Sequence, residues 1–240
     1  MTFVFCSLSN GLVKRLSLLR PATLAEAPSA SPKPDAAPDL AWNLDALSSR
    51  LVELSGSESA ARLSAAFGLV LEAQLRADRA AWVTLKCSSF FPPDVADGGI
   101  DLEALPVVRV PDARAAGRAA DHLVRSNAFG LVVLDLSSGP FPDGHTRRRP
   151  REDDHWPMTL PVPLLTRLLG LACAHDVAVL ILTRKSSDAP SLNSLISLRA
   201  EAQWSGDDGR FEVRISVLKD KRGGPGWTHL EACRGPAGVR

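Results

Sequence analysis

The sequence predicts an α/β domain: a mainly parallel central sheet covered by helices on both faces, with an antiparallel extension and an N-terminal helical arm. Three observations predict it. Short apolar runs alternate with helix-period segments from residue 51 to about 183, the order in which strand–helix–strand units build a parallel sheet. Leu131–Leu134 is apolar without alternation, as a strand buried on both faces should be. The later extended segments, Leu198–Trp204 and Phe211–Leu218, alternate polar with apolar residues and read as strands nearer a sheet edge. With 45% hydrophobic and 23% charged residues in 240, the composition is that of a folded chain with one main core.

At the start, Leu12, Val13, Leu16 and Leu19 fall at i, i+1, i+4 and i+7, with Lys14, Arg15 and Arg20 elsewhere around the helix. Residues 1–20 therefore read as an amphipathic arm that needs something to dock against. Residues 21–40 run through Pro, Ala and Ser with almost no large apolar side chain, too little burial to offset ordering, so they read as a linker. The core is expected over 41–235 and a flexible tail over 236–240. Leu51–Leu54 is its first strand, followed by a helix from about Ser59 to Ala77 whose buried stripe includes Leu63, Phe67, Val70, Leu71 and Leu75. Ala81–Leu85 and Val107–Val110 are the next strands, and Asp112 caps an alanine- and arginine-rich helix ending near Asn127. After Leu131–Leu134 come a long proline-broken loop, a helix over Leu164–Ala174 and a strand over Val177–Thr183. A glycine-rich turn leads to a last strand, Trp227–Cys233.

The formal net charge of +1 removes the global electrostatic case for a nucleic-acid or anionic-membrane binder, so such a role needs a local patch. No apolar run approaches the roughly 20 residues of a membrane span. The apolar start is followed, not preceded, by cations, the reverse of a secretory signal; a cytoplasmic protein is expected. Cys6, Cys87, Cys173 and Cys233 are widely separated and form no C-x-x-C pair, so reduced, packed thiols are expected. His145, His155, Asp143 and Asp153 lack regular ligand spacing, and no G-x-S-x-G elbow occurs; neither a metal site nor a hydrolase triad is predicted. Trp156 and Trp227 are candidate partner anchors, while Trp82 and Trp204 read as packing residues.

Between the first strand and its helix lies Gly56-Ser57-Glu58-Ser59-Ala60-Ala61-Arg62-Leu63, where a phosphate-cradling loop G-x-x-x-x-G-K-[ST] would sit. Only Gly56 matches. Ala61 stands at the second glycine, and its Cβ penalises close backbone approach to a phosphate. Arg62 replaces the lysine with a bulkier fork, and Leu63 has no hydroxyl for Mg²⁺.

Here the chain resembles the RecA recombinase family, from about Leu51 to Gly235. Its V-E-I-Y-G-P-E-S-S-G-K-T-T is similar to VELSGSESAARLS, Val52 to Ser64; its strand ending in a catalytic glutamate is similar to AWVTLKC, which puts Cys87 at the glutamate's place. V-D-V-I-V-V-D-S is similar to FGLVVLDLSS, matching Asp135 to the acidic end of the Walker B strand. TLLIFINQIR resembles AVLILTRKS, with Arg184 near the glutamine that senses nucleotide, and V-K-V-V-K-N-K is similar to VRISVLKDK, leaving Lys219 and Lys221 where two lysines reach a neighbour's nucleotide. The resemblance implies a RecA-like core. Hydrolysis needs the lysine, the Mg²⁺-binding hydroxyl and a base that orients water, and all three positions have changed. Lys185–Ser194 is also much shorter than the family's DNA-binding loop. No catalytic residue and no cofactor are expected; Gly56, Glu58, Ser59, Ala61, Arg62, Leu63, Cys87 and Asp135 make up a degenerate nucleotide site.

A core of this length with a degenerate loop, a front arm and no C-terminal domain is similar to the ImuA family, accessory proteins of bacterial mutagenic translesion synthesis in the SOS response to DNA damage. What this resemblance implies is an adaptor: partners RecA and an inactive, ImuB-like Y-family polymerase homologue, an error-prone replicative-type polymerase indirectly, and no membrane. The alternatives are a SulA-like division inhibitor that binds FtsZ and a RecA-like ATPase or recombinase paralogue that binds DNA. The loop HTRRRPREDDHW sets Arg147, Arg148, Arg149 and Arg151 directly before Glu152, Asp153 and Asp154. Those arginines, with Arg184 and Lys185, could contact DNA phosphate weakly, but the acids cancel much of the field within a Debye length. A solvated loop, a partner surface and DNA contact stay open, as does self-association.

Overall fold

Six strands lie parallel at the centre of one nine-stranded sheet ordered β1-β9-β8-β7-β2-β6-β5-β3-β4, and three antiparallel strands extend one side of it. In chain order the elements are β1 (Phe5–Cys6), α1 (Leu44–Leu47), β2 (Arg50–Ser55), α2 (Ser59–Leu75), β3 (Ala80–Leu85), α3 (Pro92–Asp97), β4 (Val107–Val110), α4 (Ala113–Arg125), β5 (Leu131–Asp135), α5 (Val162–His175), β6 (Ala178–Leu182), β7 (Leu198–Ser205), β8 (Phe211–Asp220) and β9 (Thr228–Arg234). This computed structural model describes residues 5–6, 41–57, 59–86, 90, 92–137, 160–205 and 211–234. Among the described residues no helix is long and apolar enough to cross a membrane.

The parallel strands are buried along their lengths because helices cover both faces, as their unbroken apolar runs require. On one face Leu63, Phe67 and Val70 of α2 pack on Val52, Leu54, Trp82, Val133 and Leu180. Phe67 stacks on Trp82 with ring centroids 4.5 Å apart, and Phe90 is tilted against both, a geometry that adds about 0.5–1.5 kcal/mol per pair to simple burial. On the other face Ala116, Ala120 and Val124 of α4 and Leu165, Leu168 and Ala172 of α5 cover Leu51, Val83, Val132, Leu134 and Ile181. A Cβ on Gly117 would run into Leu164 Cδ2, so the α4–α5 contact is as close as glycine allows there. Asp112 caps α4 by accepting from Ala115 N at 2.7 Å.

Several expectations need correcting. β7 lies inside the sheet, parallel to β2 and antiparallel to β8; the polar side of its alternation is covered from above, since Arg199 donates to the carbonyls of Ser186 and Ala189. Leu75 is 68% exposed, because it falls in the last turn of α2. Trp227 is partly buried and packs against the α2-side core, which removes it as a free anchor. The short helices α1 and α3 fall where the sequence showed no pattern, and within the expected arm Phe5–Cys6 pairs with β9, setting Cys6 opposite Cys233. Residues 7–40, which include Leu12, Val13, Leu16, Leu19 and the linker, lie outside the described residues, as do Trp156 and the arginine-rich loop.

Candidate functional site

At the carboxyl edge of the parallel strands, where open α/β sheets bind ligands, β2 passes through Gly56 into α2. Gly56 has φ of +153°, and a Cβ there would lie 2.6 Å from the Ala202 carbonyl oxygen, so backbone approach from β7 demands glycine. One turn into α2 the Arg62 side chain folds back and donates through Nη1 to the Gly56 carbonyl. It is 2% exposed. Burial pulls its pKa down to about 10, the Asp135 carboxylate opposes that fall, and the Arg184 charge adds to it. Ala61 and Leu63 are buried with the α2-side core.

Asp135 ends β5, fully buried. Its carboxylate accepts from Thr84 Oγ1 at 3.3 Å, from the Ser137 amide at 3.1 Å and from Ser137 Oγ at 2.5 Å. The structure thus brings Gly56, Arg62 and Asp135 to one edge, with Arg184, itself exposed, close enough to be felt by Arg62. Glu58 and Cys87, and Arg147, Arg148, Arg149 and Arg151, lie outside the described residues; Ser59 is described only as the first residue of α2.

Sequence reasoning missed Glu53. This fully buried carboxylate in the middle of β2 accepts from Thr183 Oγ1 and Lys185 Nζ, each at 2.9 Å, and from the Leu192 amide at 2.7 Å. It fastens the segment after β6 to the centre of the sheet, and Lys221 Nζ holds the same segment by donating to the Ser194 carbonyl at 2.6 Å. The available signal was a lone acid inside an apolar strand, since buried acids need paired or hydrogen-bonded surroundings. Lys185 is therefore a half-buried partner of Glu53, and Lys219 has its pKa lowered by burial and by the Lys221 charge.

A magnesium–triphosphate group asks for a free lysine, a hydroxyl for the metal and open backbone N–H groups. The residues present do not fit it: the guanidinium at the lysine position is hydrogen-bonded to its own loop, and the residue at the hydroxyl position is a core leucine. Among the described residues no cluster of His, Cys, Asp and Glu is arranged to hold a metal ion.

Comparison with known proteins adds a distant relation. The chain is similar to Protein RecA of Picosynechococcus sp. (strain ATCC 27264 / PCC 7002 / PR-6), 32% identical over 93 residues, a match covering 39% of this chain and 26% of that protein. It spans about a quarter of the relative's length. No protein-family model matches the chain. The match supports a RecA-like relationship, and the mostly parallel, helix-covered sheet is consistent with a RecA-like α/β core.

Proposed function

We propose that this chain is a non-catalytic RecA-like accessory protein of the bacterial SOS response, similar to the ImuA family, which supports mutagenic translesion DNA synthesis through contacts with RecA and an inactive Y-family polymerase homologue. The observation that supports it best is the Arg62 side chain folded onto the Gly56 carbonyl. A loop closed by its own arginine has exchanged the phosphate-binding cation for an internal hydrogen bond, while the surrounding strand–loop–helix frame stays packed. What such a frame retains is surface, and a chain that keeps the frame without the phosphate chemistry is suited to docking on other proteins.

The experiment is co-purification of the tagged full-length chain from DNA-damaged cells of its own source. Recovery of RecA together with a Y-family polymerase homologue is the expected outcome. Recovery of FtsZ in their place assigns the chain to division inhibition, and magnesium-dependent ATP hydrolysis that is lost on replacing Asp135 overturns the non-catalytic reading.

A further inference from the structure

The outer face of α4 carries a feature that the accessory role does not use. Arg114, Arg118, His122 and Arg125 occur at intervals of four, four and three residues, which sets them within one narrow stripe of the helix. All four are exposed, whereas Ala116, Ala120 and Val124 face the sheet. Along the axis, at about 1.5 Å per residue, the first three stand about 6 Å apart and the last pair about 4.5 Å. Arg167, 54% exposed on the neighbouring α5, adds a further cation beside it.

Acids do not balance this stripe. α4 and α5 together contain four arginines and one aspartate. That residue, Asp121, is buried and shared between Arg125 at 3.2 Å and Arg167 at 2.6 Å. The Asp112 carboxylate at the head of α4 is engaged by the Ala115 amide. Arg114 and Arg118 make no ion pair among the described residues. A chain of net charge +1 has thus gathered three guanidinium groups on one helix face, two of them without an ion pair among the described residues, the local patch that the overall charge by itself could not reveal.

We propose that the Arg114–Arg118–His122–Arg125 face of α4 binds the sugar–phosphate backbone of a nucleic acid without reading its sequence. A linear, regularly spaced row of one sign fits a linear polyanion, in which phosphates also recur at fixed intervals. Guanidinium groups grip phosphate oxygens with two parallel N–H donors. The phosphates of a nucleic acid recur at a fixed spacing whatever its sequence, which favours it over an acidic protein partner as the occupant of such a row. The row lies on the helix layer, on a different element from the Gly56 loop, and the inference does not depend on the accessory role.

The test is fluorescence anisotropy of the full-length chain with a labelled mixed-sequence single-stranded oligonucleotide, titrated between about 50 and 200 mM salt. Replacing Arg114 and Arg118 by glutamine should leave the circular dichroism spectrum and melt unchanged, since both side chains project into solvent. Affinity should fall about tenfold, and the log–log salt slope should become shallower by about 1.4, two contacts at roughly 0.7 each. The paired Arg114→Lys and Arg118→Lys variant should recover the slope. Absence of salt-dependent binding by the wild-type chain, or an unchanged slope in the glutamine variant, overturns the proposal. So does a polyglutamate of equal charge that binds with the same dependence on these arginines, which would give the face to an acidic protein instead.

Discussion

A guanidinium removed from water stays charged only if hydrogen bonds and a nearby anion offset the loss of hydration, and Arg62 has the Gly56 carbonyl for the first and Asp135 for the second. Titration calorimetry of the chain with ATP and Mg²⁺ should accordingly detect nothing tighter than about millimolar, roughly −4 kcal/mol; micromolar affinity would contradict it. Gly56 is the most restrictive backbone position nearby, because a methyl group would meet the Ala202 carbonyl at 2.6 Å in a region that L residues avoid. Gly56→Ala should cost about 1–3 kcal/mol in denaturant unfolding. A third residue gives stability a pH dependence. Glu231 on β9 lies against Gly68 of α2, and burial, with Glu72 one turn along, raises its pKa from 4.5 to about 7. The folded state then holds a proton that the unfolded state has lost, so this group's penalty is absent below pH 4.5, grows between 4.5 and 7, and is complete above 7. Its size is at most about 3 kcal/mol at 1.36 kcal/mol per unit. Glu231→Gln should therefore melt like the wild type near pH 4 and higher than it at pH 8; a difference that does not change with pH would refute the assignment. Arg62 was legible in the sequence because a local spacing placed it. Glu53 was not, because its partners Thr183, Lys185 and Leu192 lie 130, 132 and 139 residues away.

At the scale of elements, the segment between β6 and β7 owes its shape to Glu53 from beneath, to Arg199, and to Lys221 from the end of β8. Glu53→Leu takes the acceptor from Thr183 Oγ1 and the Leu192 amide, while Lys185, a quarter exposed, keeps the Pro190 carbonyl; the change should cost about 1–3 kcal/mol. Hydrogen exchange of the Leu192 amide should rise more than that of the β5 amides; uniform loss of protection would mean that Glu53 serves the whole sheet rather than this segment. The parallel strands and α2, α4 and α5 were readable because apolar runs and 3.6-residue periodicity are local properties. β7 was misplaced because alternation reports only that one face is polar, and the same pattern results when a covering loop satisfies that face with carbonyl oxygens. α1 is held by the Asn43 cap, which accepts from Ala46 N at 2.9 Å, and by tertiary packing of Leu44 and Leu47; four residues carry no measurable period.

For the whole molecule, the two apolar layers seen among the described residues are built from residues after 41, and β1 adds a two-residue edge strand paired with β9. Deleting residues 1–20 removes the two-residue edge strand β1 but should leave a cooperative melt and a nearly unchanged circular dichroism spectrum, while weakening RecA binding or self-association at least tenfold, about 1.4 kcal/mol. Unfolding of the truncated chain would place the arm in its own core, and unchanged binding would remove it from the interface. Sheet order has another consequence, which concerns synthesis. β2 is the first parallel strand to leave the ribosome, yet both its neighbours come late: Val52 pairs with Leu180 on one side and with Leu198 on the other. At about 5–20 residues per second, the β2 strand, with its rows of backbone donors and acceptors, waits roughly 6–25 s before either side can be covered. During that interval it is an unpaired edge of the kind that recruits foreign strands. Nascent chains halted before residue 180 should therefore be bound by holding chaperones and sensitive to protease, and chains released after β7 should lose both properties together; gradual protection before that point would show that β3, β4 and β5 form a stable sheet without their centre.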